Sequence, residues 1–122
     1  MSNKISSNYE TKAWLFMRYS SLLLIPLVWI HVIWQDVIIG VHEIDTEYVI
    51  RRWSNIGIQI YDILLLSFAF AHGMNGLRQV LLDFIHSPRG RRLTSIVIFI
   101  LWITISIIGG TAIVAAAKAH LQ

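Results

Sequence analysis

The sequence contains no cysteine. That excludes disulfides, thiolate metal sites, iron–sulfur ligation and cysteine nucleophiles from this chain and leaves histidine available as a metal ligand. Charge is also scarce. Only 14% of the 122 residues are charged, against about 25% in a soluble domain. The scarcity is uneven: stretches 19–35 and 93–117 hold no Lys, Arg, Asp or Glu. With 56% hydrophobic residues and a mean hydropathy of +0.63, the composition argues against a soluble globular domain, a disordered chain and a nucleic-acid binder. A pI near 9.6 accompanies a net charge of only +3, which loops that orient a membrane protein explain. The polar residues 1–12, with Glu10 and Lys12 just ahead of the first apolar run, do not form a secretory signal. The first apolar segment therefore reads as a permanent span.

A bilayer-spanning helix needs about 20 mostly apolar residues. Three segments meet this, at about 13–40, 54–84 and 94–117. The fold class is all-α, with three transmembrane helices organised as one membrane domain over 1–122. No internal repeat or low-complexity segment interrupts it. Pro88-Arg89-Gly90 reads as a breaker between the second and third spans. Lys4, Lys12 and Arg18 flank the first span, and Arg89, Arg91 and Arg92 precede the third. The basic excess puts these regions and the N-terminus on the cytoplasmic side, and the C-terminus outside. Gly109, Gly110, Ala112 and residues 115–117 are small enough to let another helix approach the third span. Pro26 kinks the first span, or is tolerated there because neighbours satisfy the freed carbonyl.

The second span carries the polar chemistry: Asp62, His72, Asn75, Arg78, Gln79 and Asp83. An ionised residue at the bilayer centre costs roughly 2.5–3.5 kcal/mol on insertion scales. At 100° per residue, Tyr61, His72, Asn75, Gly76, Gln79 and Asp83 fall within about 60° of His72. This stripe needs burial, and a partner subunit is implied. Arg78 lies about 120° off it and reads as a snorkelling or intersubunit charge. Two readings of His72 stand. It binds haem iron through one ring nitrogen, with Gly73 and Gly76 making room for a flat macrocycle. Alternatively, it bonds across helices and the glycines only permit packing. His31 sits in the middle of the first span, at a depth that reads as similar to that of His72. His42, His86 and His120 fall in loops or the tail and carry no role. The five tryptophans read mostly as interface anchors or packing.

The run His72-Gly-Met-Asn-Gly76-Leu-Arg-Gln-Val-Leu-Leu-Asp83-Phe84 resembles the signature of the small hydrophobic membrane-anchor subunit of succinate dehydrogenase. Arg18-Tyr19-Ser20 is similar to that family's arginine-x-small-hydroxyl step, and the helix count and length agree. The resemblance implies an anchor in a bacterial or archaeal cytoplasmic membrane, not catalytic alone. Its partners would be a flavoprotein subunit, an iron–sulfur subunit and a second, cytochrome b anchor. It implies His72 as the axial ligand of haem b iron and Gly76 in haem packing. His31 would serve a second haem or a propionate, and Arg18 a propionate. Asp83, Phe84 and Ser20 would lie at the quinone site. The family typically has tyrosine at Phe84; phenylalanine cannot donate a hydrogen bond to a quinone carbonyl. The competing readings are a small b-type cytochrome, or a haem-free scaffold, of another membrane complex.

Overall fold

The computed structural model describes residues 9–119, so Lys4 and His120 lie outside the described residues. Helix α1 spans Tyr9–Val32 and continues through a π-helical stretch, Ile33–Gly40, and a 3-10 turn, Val41–Glu43. A short helix α2 follows at Thr46–Trp53, then α3 at Ile56–Phe84 and α4 at Pro88–Ala119. The segments Tyr9–Glu43, Ile56–Phe84 and Pro88–Ala119 are each long and apolar enough to cross a membrane. The all-α, three-span architecture follows. No strand occurs among the described residues.

The boundaries show where local chemistry acts. Asn55 caps α3, its Oδ1 accepting from the amides of Gly57 (2.9 Å) and Ile58 (3.3 Å). Asp45 caps α2 through the Tyr48 amide at 2.7 Å. This amphipathic helix occupies the polar segment between the first two spans, where the sequence reading has only a connection. The largest difference is at Pro88. It opens α4 six residues before the expected start instead of separating two spans. Proline breaks a helix from inside, but at the first helical position its fixed φ is pre-set and its missing N–H is no loss. Ser87 completes the cap by accepting from the Gly90 amide at 3.2 Å. Arg91 reaches back to the carbonyls of Leu82 (2.7 Å) and Ile85 (3.3 Å). Its charge thus closes the exposed C-terminal turn of α3.

Few apolar side chains are buried within the chain: Ala13, Leu24, Leu82, Ile98, Ile113 and Ala117 form the core. Ile25, Trp29, Ile107 and Ile108 stand outward. In lipid the hydrophobic effect does not press helices together, so packing rests on small residues and interhelical hydrogen bonds. Gly109 packs under Leu66, and any Cβ there would collide with that side chain. Trp102 donates from its indole to the Ser67 carbonyl at 3.0 Å. Gly110, by contrast, faces open space.

Two polar clusters hold the ends of the bundle. At one end Arg78, 1% exposed, makes a bidentate pair with Glu10 through both terminal nitrogens at 3.0 Å. Its Nε donates to Asn75 at 3.0 Å and its Nη1 to Ser95 at 3.3 Å, while the guanidinium covers the Tyr9 ring at 5.1 Å. One side chain thereby joins α1, α3 and α4. This corrects the snorkelling reading: a cation lying off the polar stripe is buried because Glu10 rises from the start of α1 to meet it. At the opposite end Asp62, also buried, accepts from both terminal nitrogens of Arg52 and from the Trp53 indole (2.8 Å). Tyr48 donates to Gln35 at 3.2 Å. These bonds fasten α2 across the bundle end.

The contacts set two expectations for stability. Gly40 has φ +95°, and a Cβ at this position would meet nothing within 4 Å. Gly40→Ala therefore costs backbone strain alone, about 2 kcal/mol, read as a lowered melting temperature in detergent. Arg78→Leu strips the charge-assisted bonds from three helices and destabilises by about 3 kcal/mol. Glu10→Gln, though at a half-exposed position, leaves the buried Arg78 cation without its counter-charge and costs a comparable amount in the same assay.

Candidate functional site

The seam between α1 and α3 is antiparallel, and its cross-links set the register. Glu10 meets Arg78, Ala13 accepts from Asn75 (3.1 Å), Ser20 meets His72 (2.9 Å) and Leu27 accepts from the Tyr61 hydroxyl. As one helix ascends in number the other descends, as antiparallel neighbours must. The polar stripe centred on His72 therefore faces α1 at Tyr61, His72 and Asn75. These three groups find partners inside the chain, so part of the burial that the stripe needs is supplied by α1 itself. Asp83, at the end of the stripe, is exposed.

His72 is half-buried, and its Nδ1 lies 2.9 Å from Ser20 Oγ. Ser20 is 4% exposed and donates to the Met17 carbonyl at 3.3 Å; level with His72, it stands about 16 Å in helix rise from Asp83 and Phe84 and does not join them at one quinone site. Among the described residues the second ring nitrogen, Nε2, has no hydrogen-bond partner. The two flanking glycines differ. A Cβ at Gly76 would sit 3.4 Å from Met17 Cε, so Gly76 serves the approach of α1. A Cβ at Gly73 would meet nothing within 4 Å. An imidazole held at one nitrogen, free at the other and beside an open glycine surface suits a haem iron. No group of three His, Asp or Glu side chains converges among the described residues; a lone histidine fits a metal that brings its other ligands with it.

His31 stands elsewhere. Its ring stacks on Tyr61 with centroids 6.5 Å apart, and its Nδ1 is 3.7 Å from Asp62 Oδ1, buried and without a hydrogen bond. Ser20 is level with His72, and His31 is 11 residues further along α1, about 16 Å at 1.5 Å per residue. The two histidines thus occupy different depths and cannot grip one iron. The similar depth read from the sequence counts from Arg18 as the helix end, whereas α1 already begins at Tyr9.

Arg18 lies on the exposed side of α1, stacked over Trp14 at 5.6 Å, about 200° around the helix from Ser20. Phe84 is 78% exposed at the last turn of α3, beside Asp83. No ion pair joins Asp83 to Arg89 or Arg91 among the described residues, and Arg91 is committed to the α3 carbonyls. The sequence reading missed two things. The Ser20–His72 bond needs the register of α1 against α3. The burial of Arg78 needs Glu10, distant in sequence, and the only local sign of it is an arginine within an apolar run.

A family model for the succinate dehydrogenase/fumarate reductase transmembrane subunit matches residues 2–109. No curated protein matches the chain. The family match covers most of the sequence, and the chain belongs to that family.

Proposed function

We propose that this member of the succinate dehydrogenase/fumarate reductase transmembrane family anchors a flavoprotein and an iron–sulfur subunit to the membrane, together with a second anchor chain. In that assembly His72 supplies one axial ligand of a b-type haem, and the Asp83–Phe84 end of α3 borders the quinone pocket. The observation that carries the haem reading is the imidazole of His72, bonded at Nδ1 and unpartnered at Nε2 beside Gly73.

A b-type haem bound there supplies one-electron redox chemistry within the bilayer. The chain's own residues present Nε2 from a rigid helix, keep the ring against α1 and leave the Gly73 side clear. His72 would hold the iron through Nε2; His31, about 16 Å away along the helix axis, would not reach the same iron, so any second protein ligand would come from the partner anchor. His31 is left for a separate group, a second haem or a propionate. Phe84 packs against a quinone ring without donating to it, so the hydrogen bond to the quinone carbonyl comes from another subunit. Asp83, exposed beside it, is placed to exchange protons at the membrane surface.

Arg89, Arg91 and Arg92 flank this same end, and the basic excess supports a cytoplasmic position for it, facing the iron–sulfur subunit. The chain catalyses no step by itself; it fixes the positions of groups that do.

Isolation of the intact assembly through a tag on this chain tests the reading. A second anchor chain, an iron–sulfur chain, a flavoprotein and the reduced-minus-oxidised α-band of a b-type haem are the expected outcome. His72→Ala removes that α-band in the isolated complex. A purified assembly without haem absorbance, or one whose spectrum is indifferent to His72→Ala, overturns it.

A further inference from the structure

We propose that Ser20 is a positioning residue for His72: its hydroxyl holds the imidazole in the tautomer and rotation that leave Nε2 free to bind iron. The proposal rests on the reading of His72 as a haem ligand and adds a role for a residue on the neighbouring helix.

A neutral imidazole has one ring proton. When Nε2 binds a metal, that proton resides on Nδ1 and needs an acceptor. Inside a helix seam no water supplies one. Ser20 Oγ, 2.9 Å from Nδ1, is the acceptor present. A hydroxyl accepts only with its lone pairs, so its own proton must go elsewhere, and Ser20 sends it to the Met17 carbonyl of its own helix at 3.3 Å. The chain of donors then runs one way: Nδ1–H to Ser20 Oγ, and Ser20 O–H to the α1 backbone. The reversed order, with Ser20 donating to Nδ1, would put the ring proton on Nε2 and block ligation.

The same bond limits the ring's rotation. α1 and α3 are locked in register on either side of this point by Asn75 on Ala13 and Tyr61 on Leu27. Ser20 is 4% exposed, so Oγ has little freedom and neither does the ring anchored to it. By accepting the Nδ1–H bond, a serine hydroxyl adds electron density to the ring at the ligating Nε2, less than a carboxylate would. A more basic ligand favours ferric over ferrous iron.

Three variants in the intact complex test this: Ser20→Thr, which keeps a hydroxyl and adds a methyl, Ser20→Val, which has the shape of that threonine with a methyl in place of its hydroxyl, and His72→Ala. The readings are haem per complex, the haem midpoint potential and the ferric low-spin electron paramagnetic resonance signal, which reports imidazole orientation. Ser20→Val is expected to weaken haem retention about tenfold and to raise the midpoint potential. A tenfold loss confined to the ferric form corresponds to about 59 mV. Ser20→Thr is expected to stay near the unaltered protein in all three. Equal values for Ser20→Thr and Ser20→Val, with haem lost only in His72→Ala, overturn the role of Ser20 and leave the ligand reading standing. Haem retained unchanged in His72→Ala removes the ligand reading itself, and this proposal with it.

Discussion

A polar side chain in lipid has no water to turn to, so it must find its partner in the protein. That constraint organises this chain. The Tyr61 hydroxyl, the Asn75 amide and the His72 imidazole of α3 look toward α1, and each bond they make allows only one height of α1 against α3. Asn75 on Ala13, His72 on Ser20 and Tyr61 on Leu27 specify the same register three times over. Hydrophobic burial could not do this, because an apolar side chain loses nothing by turning to lipid. The many outward-facing Ile, Leu and Trp side chains accord with a small internal core and an outer surface shared with lipid or other helices.

The same rule treats the two ends of the bundle alike. Each end holds a buried arginine–carboxylate cluster, and each cluster draws partners from outside the helix that carries the buried member. Arg78 takes Glu10 from the start of α1. Asp62 takes Arg52 and Trp53 from α2. Breaking a buried pair leaves an uncompensated charge in a place where compensation is scarce. These clusters therefore bound the bundle on both sides of His72. The residue proposed to bind iron sits between them, in a stretch whose geometry is set from both directions.

His72 also shows why the two readings of an intramembrane histidine need not compete. An imidazole has two nitrogens. One bonds across the helix seam, to Ser20, while the other remains for a ligand. On the proposed reading, interhelical packing and iron binding are consecutive requirements: the bond to Ser20 would supply the tautomer that ligation needs. His31 has a different situation. It faces a buried carboxylate with Nδ1 unsatisfied, near the far cluster and about 16 Å in helix rise from His72.

Span number, span type and the end of α3 at Phe84 are legible in the sequence, because apolar length and the absence of charge are properties of consecutive residues. The family kinship carried by the 72–84 run is legible for the same reason: motif residues on one helix keep their spacing however that helix packs. The height of α1 is not legible in this way. It depends on pairs such as Ser20 with His72 and Glu10 with Arg78, 52 and 68 residues apart. Helical periodicity says which face a residue lies on but not what stands opposite. Hence the similar depth read for the two histidines and the snorkelling read for Arg78 yielded to tertiary structure, and Tyr61, His72 and Asn75 of the polar stripe met partners on α1. Local sequence determined the helices and their chemistry; only the antiparallel register decided which groups meet, since a polar contact in lipid is made at one height or not at all.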